Sequence, residues 1–244
     1  MRAPFHILLL LMVLCVTTAC GPDFRDPGEV FEVRGVDVSH YQGVIDWEAL
    51  AKDNHHFSFI KATEGRELRD KAFAANWSSA GQWGFCRGAY HFFRPEVPAS
   101  IQARHFFDVV ELEVGDLPPV LDVEERGRLS PADLVTSVKQ WLKMAELHYG
   151  VKPILYTGQN FYNRYLAGQF DEYPLWIARY DAEEPVTVCG RDYQFWQYTD
   201  EGQLPGVVGD VDRNVFYGTR IDLALLCIPP RSANPVDDLA KFGE

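Results

Sequence analysis

The chain has 244 residues, 47% of them apolar and 14% aromatic, which is enough for one substantial core of barrel size and too little for a modular array. Its formal charge of −12, with no cluster of Lys and Arg, excludes a protein that grips nucleic acid by charge. The same acidity disfavours non-specific adhesion to anionic polymers, so any glycan must be held by hydrogen bonds and aromatic faces.

The chain opens MRAPFHILLLLMVLCVTTAC: Arg2, an unbroken apolar run from Ile7 to Val16, then small residues. This order reads as a secretion signal over residues 1–20, and the run is about half the roughly 20 apolar residues that span a bilayer. Thr17-Thr18-Ala19-Cys20-Gly21 resembles the bacterial lipoprotein processing site, although Thr17 stands where that site favours a bulky aliphatic. Lipidation of Cys20 and attachment to a membrane by acyl chains are therefore expected, with simple cleavage near Ala19 as the alternative. Of the remaining cysteines, Cys86 reads as a buried small hydrophobe and Cys189 with Cys227 as a bridge the sequence permits without fixing.

Residues 21–32 form a polar, proline-containing linker, after which apolar runs of strand length alternate with segments of helical period, the pattern of a parallel sheet with crossover helices. The strands expected are 33–38, 57–62, 85–92, 119–123, 153–156, 175–178, 193–197 and 220–223, and eight of them imply a closed α/β barrel over 33–228. Asp46 before Trp47 and Ser130 before Pro131 are helix starts. From the second, Leu134, Val138, Leu142 and Ala145 repeat on one face until Gly150 closes the helix. Beyond Tyr180, Gly, Pro and Asp replace helical periodicity, so the last third of the barrel is expected to be irregular, followed by a peripheral tail over 229–244.

Chemistry concentrates where Pro119-Val120-Leu121-Asp122-Val123-Glu124 ends an apolar strand in two carboxylates two residues apart. Strand alternation turns Asp122 and Glu124 the same way, toward the carboxyl-end mouth where barrels of this kind keep their active sites, while Glu125 points away into solvent. Two carboxylates held close cannot both ionise freely, and one that keeps its proton serves as a general acid, the pairing that glycoside cleavage requires. Asp37, Glu64 and Asp212 end other candidate strands, as do the aromatic and amide residues Tyr90, Tyr156, Trp176, Tyr180 and Gln197, which suit the apolar faces and hydroxyl edges of a sugar. Asp210 to Asn214 begins like a calcium loop but has Val215 in place of its glycine, and the histidines lack metal spacing, so no metal or cofactor is called for. His91 is expected to be a hydrogen-bonded residue of the barrel lumen.

The ordered motifs GVDVSHYQG (35–43), FIKATEG (59–65), GAYHFF (88–93), PVLDVE (119–124), PILYTG (153–158), PLWIARY (174–180), FWQYT (195–199) and VDRNVF (211–216) resemble glycoside hydrolase family 25, the Chalaropsis-type lysozymes. The resemblance implies an irregular TIM-like (β/α)5(β)3 barrel that cleaves the β-1,4 bond between N-acetylmuramic acid and N-acetylglucosamine of peptidoglycan, with no obligate protein partner. It also implies Glu124 as general acid, Asp122 as its companion, and Asp37 and Asp212 as further site acids. Tyr90, Tyr156, Trp176, Tyr180, Gln197 and Glu64 are then the candidate sugar contacts. Participation of the substrate's 2-acetamido group is the mechanism the family implies; a non-catalytic glycan-binding lipoprotein and a hydrolase of chitin-like glycans are the competing readings.

Overall fold

The computed structural model describes residues 26–180 and 183–230. The expected signal segment with Cys20, and nearly all of the expected tail, lie outside the described residues.

The strands are β1 (Val33–Val38), β2 (Phe57–Glu64), the short β3 (Leu68–Arg69), β4 (Cys86–Phe92), β5 (Val120–Asp122), β6 (Ile154–Gly158), β7 (Leu175–Ala178), β8 (Phe195–Gly202) and β9 (Val211–Phe216). Their order is β1-β9-β8-β7-β6-β5-β4-β2-β3, and pairing of β1 with β2 closes eight of them into a barrel with β3 as a ribbon on its edge. Crossovers carry α2 (Trp47–Lys52), α3 (Phe73–Gln82), α4 (Ala99–Phe107), α5 (Pro131–Tyr149) and α6 (Gln159–Phe161), the last running into a π-helical turn over Tyr162–Leu166. A short α1 (Pro27–Val30) precedes the barrel and α7 (Arg220–Leu226) follows it. Among the described residues no helix joins β7 to β8 or β8 to β9, so the expected (β/α)5(β)3 plan and its irregular final third are observed.

Local sequence explains the helix ends. The Ser130 hydroxyl accepts from the backbone N–H of Asp133, Pro131 occupies the first turn, and Gly150 closes α5 at φ 73°, a left-handed conformation costly for any side chain. The face of Leu134, Val138, Leu142 and Ala145 is fully buried, each of the larger side chains contributing about 1.5–3 kcal/mol. It belongs to the layer between barrel and helices, whereas Val33, Phe57, Phe59, Val120, Ile154, Trp176, Phe195 and Phe216 fill the lumen. Two lumen rings need glycine neighbours: a Cβ on Gly35 would come within 2.5 Å of the Phe57 ring, and one on Gly88 within 2.7 Å of Phe59.

Three expectations are corrected. Arg220–Leu226 is helix, started by a capping box in which Thr219 and Asp222 satisfy each other's backbone N–H groups; the eighth barrel strand is β9, whose alternating Asp212 and Asn214 hid its strand period. The end of the supposed linker is docked on the barrel: Asp26 caps α1 and pairs with Arg213 at 2.7 Å, and the Phe31 ring packs on Trp196 and Tyr217. His91 is hydrogen-bonded as anticipated, with Thr63 Oγ1 at 2.7 Å and Gln102 Oε1 at 3.0 Å, but it faces outward against Phe106 and Trp141. A strand followed by a covering helix needs its outward face buried too, and alternation puts His91 on that face beside inward Tyr90.

Candidate active site

Seven barrel strands run parallel and deliver their carboxyl ends to one mouth. β9 runs against both neighbours, so Asp212, near its start, arrives at the same mouth and stands opposite Asp37 of β1. On the other wall Phe92, Asp122, Tyr156 and Trp176 are successive partners across β4 to β7. Asp122 ends β5, and Glu124, two residues on, projects from the same face into the open mouth.

A chain of hydrogen bonds links the two walls. The hydroxyls of Tyr156 and Tyr180 each donate to Gln197 Oε1 at 2.7 Å, and Gln197 Nε2 donates to Asp37 Oδ2 at 2.7 Å. Asn214 Nδ2 donates to the same carboxylate oxygen at 2.7 Å, while Asn214 Oδ1 accepts from Trp176 Nε1 at 2.8 Å. Two amides thus aim their donors at Asp37, with their own oxygens occupied by the tyrosines and the indole.

Burial raises all four acids. Asp37, buried, is pushed up to about 6, with the hydrogen bonds from Asn214 and Gln197 opposing the rise. Asp212 is pushed up to about 9, by burial first and the facing Asp37 second. Asp122 is held well above the usual carboxylate range by burial and then by the charge of Glu124, and its Oδ1 is buried with no hydrogen-bond partner. Glu124 is raised by burial of its carboxyl against the wall, while the neighbouring Tyr156 hydroxyl and the nearby Lys61 ammonium pull the other way. The cluster is therefore poised to hold protons near neutrality, which general acid catalysis needs.

The remaining candidates fall into distinct places. Glu64 spends one carboxylate oxygen on Lys61, at 2.7 Å, and the other on Arg94, at 2.6 and 2.9 Å, so it organises the rim by holding two cations. Those cations also lie over the Phe92 ring, at 5.0 and 4.6 Å. Glu125 is exposed, as anticipated, and pairs with Arg94 at 2.8 Å. Trp176 is buried beneath the site, stacked on Phe59 at 4.2 Å with Tyr156 tilted against it at 4.2 Å; it forms the floor, and a sugar has no open face of it to use. Tyr90 lies among the acids, its hydroxyl pushed well up by burial and by Asp37, Asp122 and Asp212. Tyr180 is half exposed at the edge of a cleft of about 610 Å³ lined by Glu124, Tyr156, Gln159, Asn160 and Phe161.

Sequence reasoning passed over Lys61, Asn214, Gln159 and Asn160. Lys61 and Asn214 stand two residues from an inward-facing neighbour inside the motifs FIKATEG and VDRNVF, so strand alternation alone marks them. Gln159 and Asn160 lie just past a strand end, where only the fold shows what they border.

An eight-stranded barrel with paired, proton-holding carboxylates at its carboxyl-end mouth, beside an aromatic and amide-lined cleft, defines a glycoside hydrolase. Residues 36–207 match the model of the Glycosyl hydrolases family 25, and the chain belongs to that family. Asp212 follows the matched segment, and antiparallel β9 brings it into the site. The chain is 50% identical over 194 residues to protein YegX of Escherichia coli K12, covering 78% of this chain and 71% of that one. It is 33% identical over 222 residues to Lysozyme M1 of Streptomyces globisporus, covering 84% and 76%. The fold superposes on a family 25 glycosyl hydrolase from Bacillus anthracis with a TM-score of 0.77 and 36% identity, over 81% of this chain and 94% of the other.

Proposed function

We propose that the chain is a lysozyme that hydrolyses the β-1,4 bond between N-acetylmuramic acid and N-acetylglucosamine in peptidoglycan. The observation that carries the reading is the placing of Asp122 and Glu124 on one face of the mouth, the first enclosed and the second open to substrate.

Glu124, protonated, reaches the glycosidic oxygen from the solvent side and gives it a proton as the bond to C1 breaks. Asp122 is too enclosed to carry a bare charge cheaply, which disfavours a carboxylate nucleophile and favours a hydrogen-bonding role. Its unpartnered Oδ1 is the acceptor that the N–H of a 2-acetamido group would satisfy, orienting that group's carbonyl oxygen to attack C1. Water activated by Glu124, now ionised, then opens the cyclic intermediate and restores the starting anomeric configuration. Inverted configuration in the first-formed product would remove this route.

The test is digestion of purified peptidoglycan by the wild type and by Glu124→Gln, followed by borohydride reduction and mass spectrometry. Fragments with reduced muramic-acid ends from the wild type alone support the reading; binding without fragments from either protein moves it to a glycan-binding protein. Cleavage of chitin in preference to peptidoglycan moves it to the other glycan class.

Residues 1–20 support export, and Cys20 supports a lipid anchor that keeps the acidic enzyme near its substrate. A Cys20→Ala protein that stayed in the membrane fraction would overturn the anchor.

A further inference from the structure

α7 lies against the end of the barrel opposite the active site. Its Leu223, and Cys227 just beyond it, join the lumen cluster, and Cys86, which begins β4, packs on that cluster. The chain after α7 is fixed there by two backbone bonds to the turn before β5: Ile228 N–H to the Asp116 carbonyl at 2.7 Å and Gly115 N–H to the Ile228 carbonyl at 3.0 Å. Cys86 and Cys227 pack in the same cluster and line one cavity of about 310 Å³ with Val114, Leu225 and Pro229, the Cys227 thiol donating to the Leu223 carbonyl at 3.3 Å. Cys189, by contrast, is exposed, its sulfur 3.6 Å from the Tyr162 hydroxyl. The permitted Cys189–Cys227 bridge is thus set aside, because the fold gives each sulfur a different neighbour.

We propose that Cys86 and Cys227 are a disulfide-forming pair which, closed in an oxidising compartment, staples α7 and the chain after it to the base of the barrel, leaving Cys189 as a free thiol. That it closes in the cell rests on the export reading above; that the two thiols are matched rests on the fold alone. The oxidant is a small or protein disulfide. The Cys86 sulfur, the less buried of the two and lowered in pKa by the neighbouring Cys227 thiol, attacks one sulfur of the donor as thiolate, forming a mixed disulfide and releasing the donor's first thiol. Cys227 then loses its proton and displaces the second, so the protein gives up two protons and two electrons and the donor becomes two thiols. Neither partner is in the catalytic cluster, so closure is expected to leave the active site unchanged. The bond would enclose most of the barrel in one loop, the arrangement in which a crosslink restrains the unfolded chain most.

The full chain is incubated with oxidised glutathione or with dithiothreitol, alkylated with iodoacetamide, digested without reduction and analysed by mass spectrometry. The expected result is a Cys86 peptide linked to a Cys227 peptide in the oxidised sample, with Cys189 alkylated, and a Tm roughly 5–15 °C above that of the reduced protein. Cys227→Ser, shown to be folded by circular dichroism and still active, is expected to lose that difference. Alkylation of both cysteines after oxidation, or a link from either to Cys189, overturns the pairing. Cell fractionation separates the two readings: a cytoplasmic protein whose pair glutathione still closes keeps the pairing and defeats only export.

Discussion

Asp37 and Asp212 stand directly opposite each other where β1 and β9 pair antiparallel. One strand brings its acid at its carboxyl end and the other near its amino end, so reversal of a single strand places two like charges in one enclosed mouth. Two buried amides hold Asp37 toward its ionised form. Among the described residues no side chain donates to Asp212 in the same way, and burial and the facing Asp37 drive it further toward the protonated form.

This pair makes stability depend on pH. A carboxyl whose pKa is raised by folding keeps a proton that the unfolded chain has already released, so the stability it contributes is present in acid and is lost as pH rises through the folded pKa. The windows run from the ordinary value up to about 6 for Asp37 and up to about 9 for Asp212. Above pH 7 the buried His55 and His91, lowered to about 4 and about 3, are neutral in both states and contribute no slope. Tm is therefore expected to fall between pH 7 and 9, and Asp212→Asn to flatten the fall, gaining roughly 2–10 °C at pH 8 and almost nothing at pH 4. Calorimetry at three pH values checks this; an equal gain at every pH would mean that the substitution acts through packing.

Tyr156 is placed to tune Glu124, the proposed general acid. Its hydroxyl proton, given to Gln197 Oε1 in the structure, can turn to the neighbouring Glu124 carboxylate and favour the ionised form, against the burial that raises it. Tyr156→Phe removes that stabilisation, so Glu124 keeps its proton to higher pH and the alkaline limb of kcat/KM moves up by roughly 0.5–1 pH unit. An unmoved or lowered limb in pH profiles of the two enzymes would separate Glu124 from that limb.

Asn214 is almost fully buried and serves two masters, donating to Asp37 and accepting from the Trp176 indole. Asn214→Ala leaves the indole N–H without a partner and takes one donor from Asp37. The expected cost is about 2–4 kcal/mol, read as a lower urea midpoint with an unchanged slope. Because the lost donor favoured ionised Asp37, its pKa is also expected to rise above about 6. A midpoint unchanged within error would mean that water replaces both bonds.

The barrel was legible because apolar runs and caps are local: β1 and β7 lie where periodicity puts them, and Ser130 and Gly150 bound α5 as their chemistry requires. β9 was not, since a strand whose inward side chains enter a polar mouth loses the apolar alternation that identifies strands, and Arg220–Leu226 then offered a false substitute. In the site, Asp122 and Glu124 were readable from a spacing of two. The roles of Glu64 and Trp176 were not, because the ion pair from β2 to Arg94, just past β4, and the stacking of Phe59 under the indole arise between segments distant in sequence.

Tyr180, a proposed sugar contact, gives a way to separate substrate binding from chemistry. It is 47% exposed at the cleft edge, while its hydroxyl is fixed on Gln197, so the ring is presented at a set angle at little entropic cost. A sugar stacked on that ring would gain in ground state and transition state alike, which moves KM and leaves kcat near its original value. Tyr180→Ala is expected to raise KM roughly 5- to 30-fold, the equivalent of about 1–2 kcal/mol, with kcat within about 3-fold of wild type. Tyr180→Phe keeps the ring, loses only the anchoring hydroxyl and is expected to show a smaller rise. Steady-state kinetics on a soluble peptidoglycan fragment distinguish the cases: a fall in kcat with KM unchanged for the alanine variant would place Tyr180 in the transition state through Gln197 and Asp37, and not in the cleft as a binding surface.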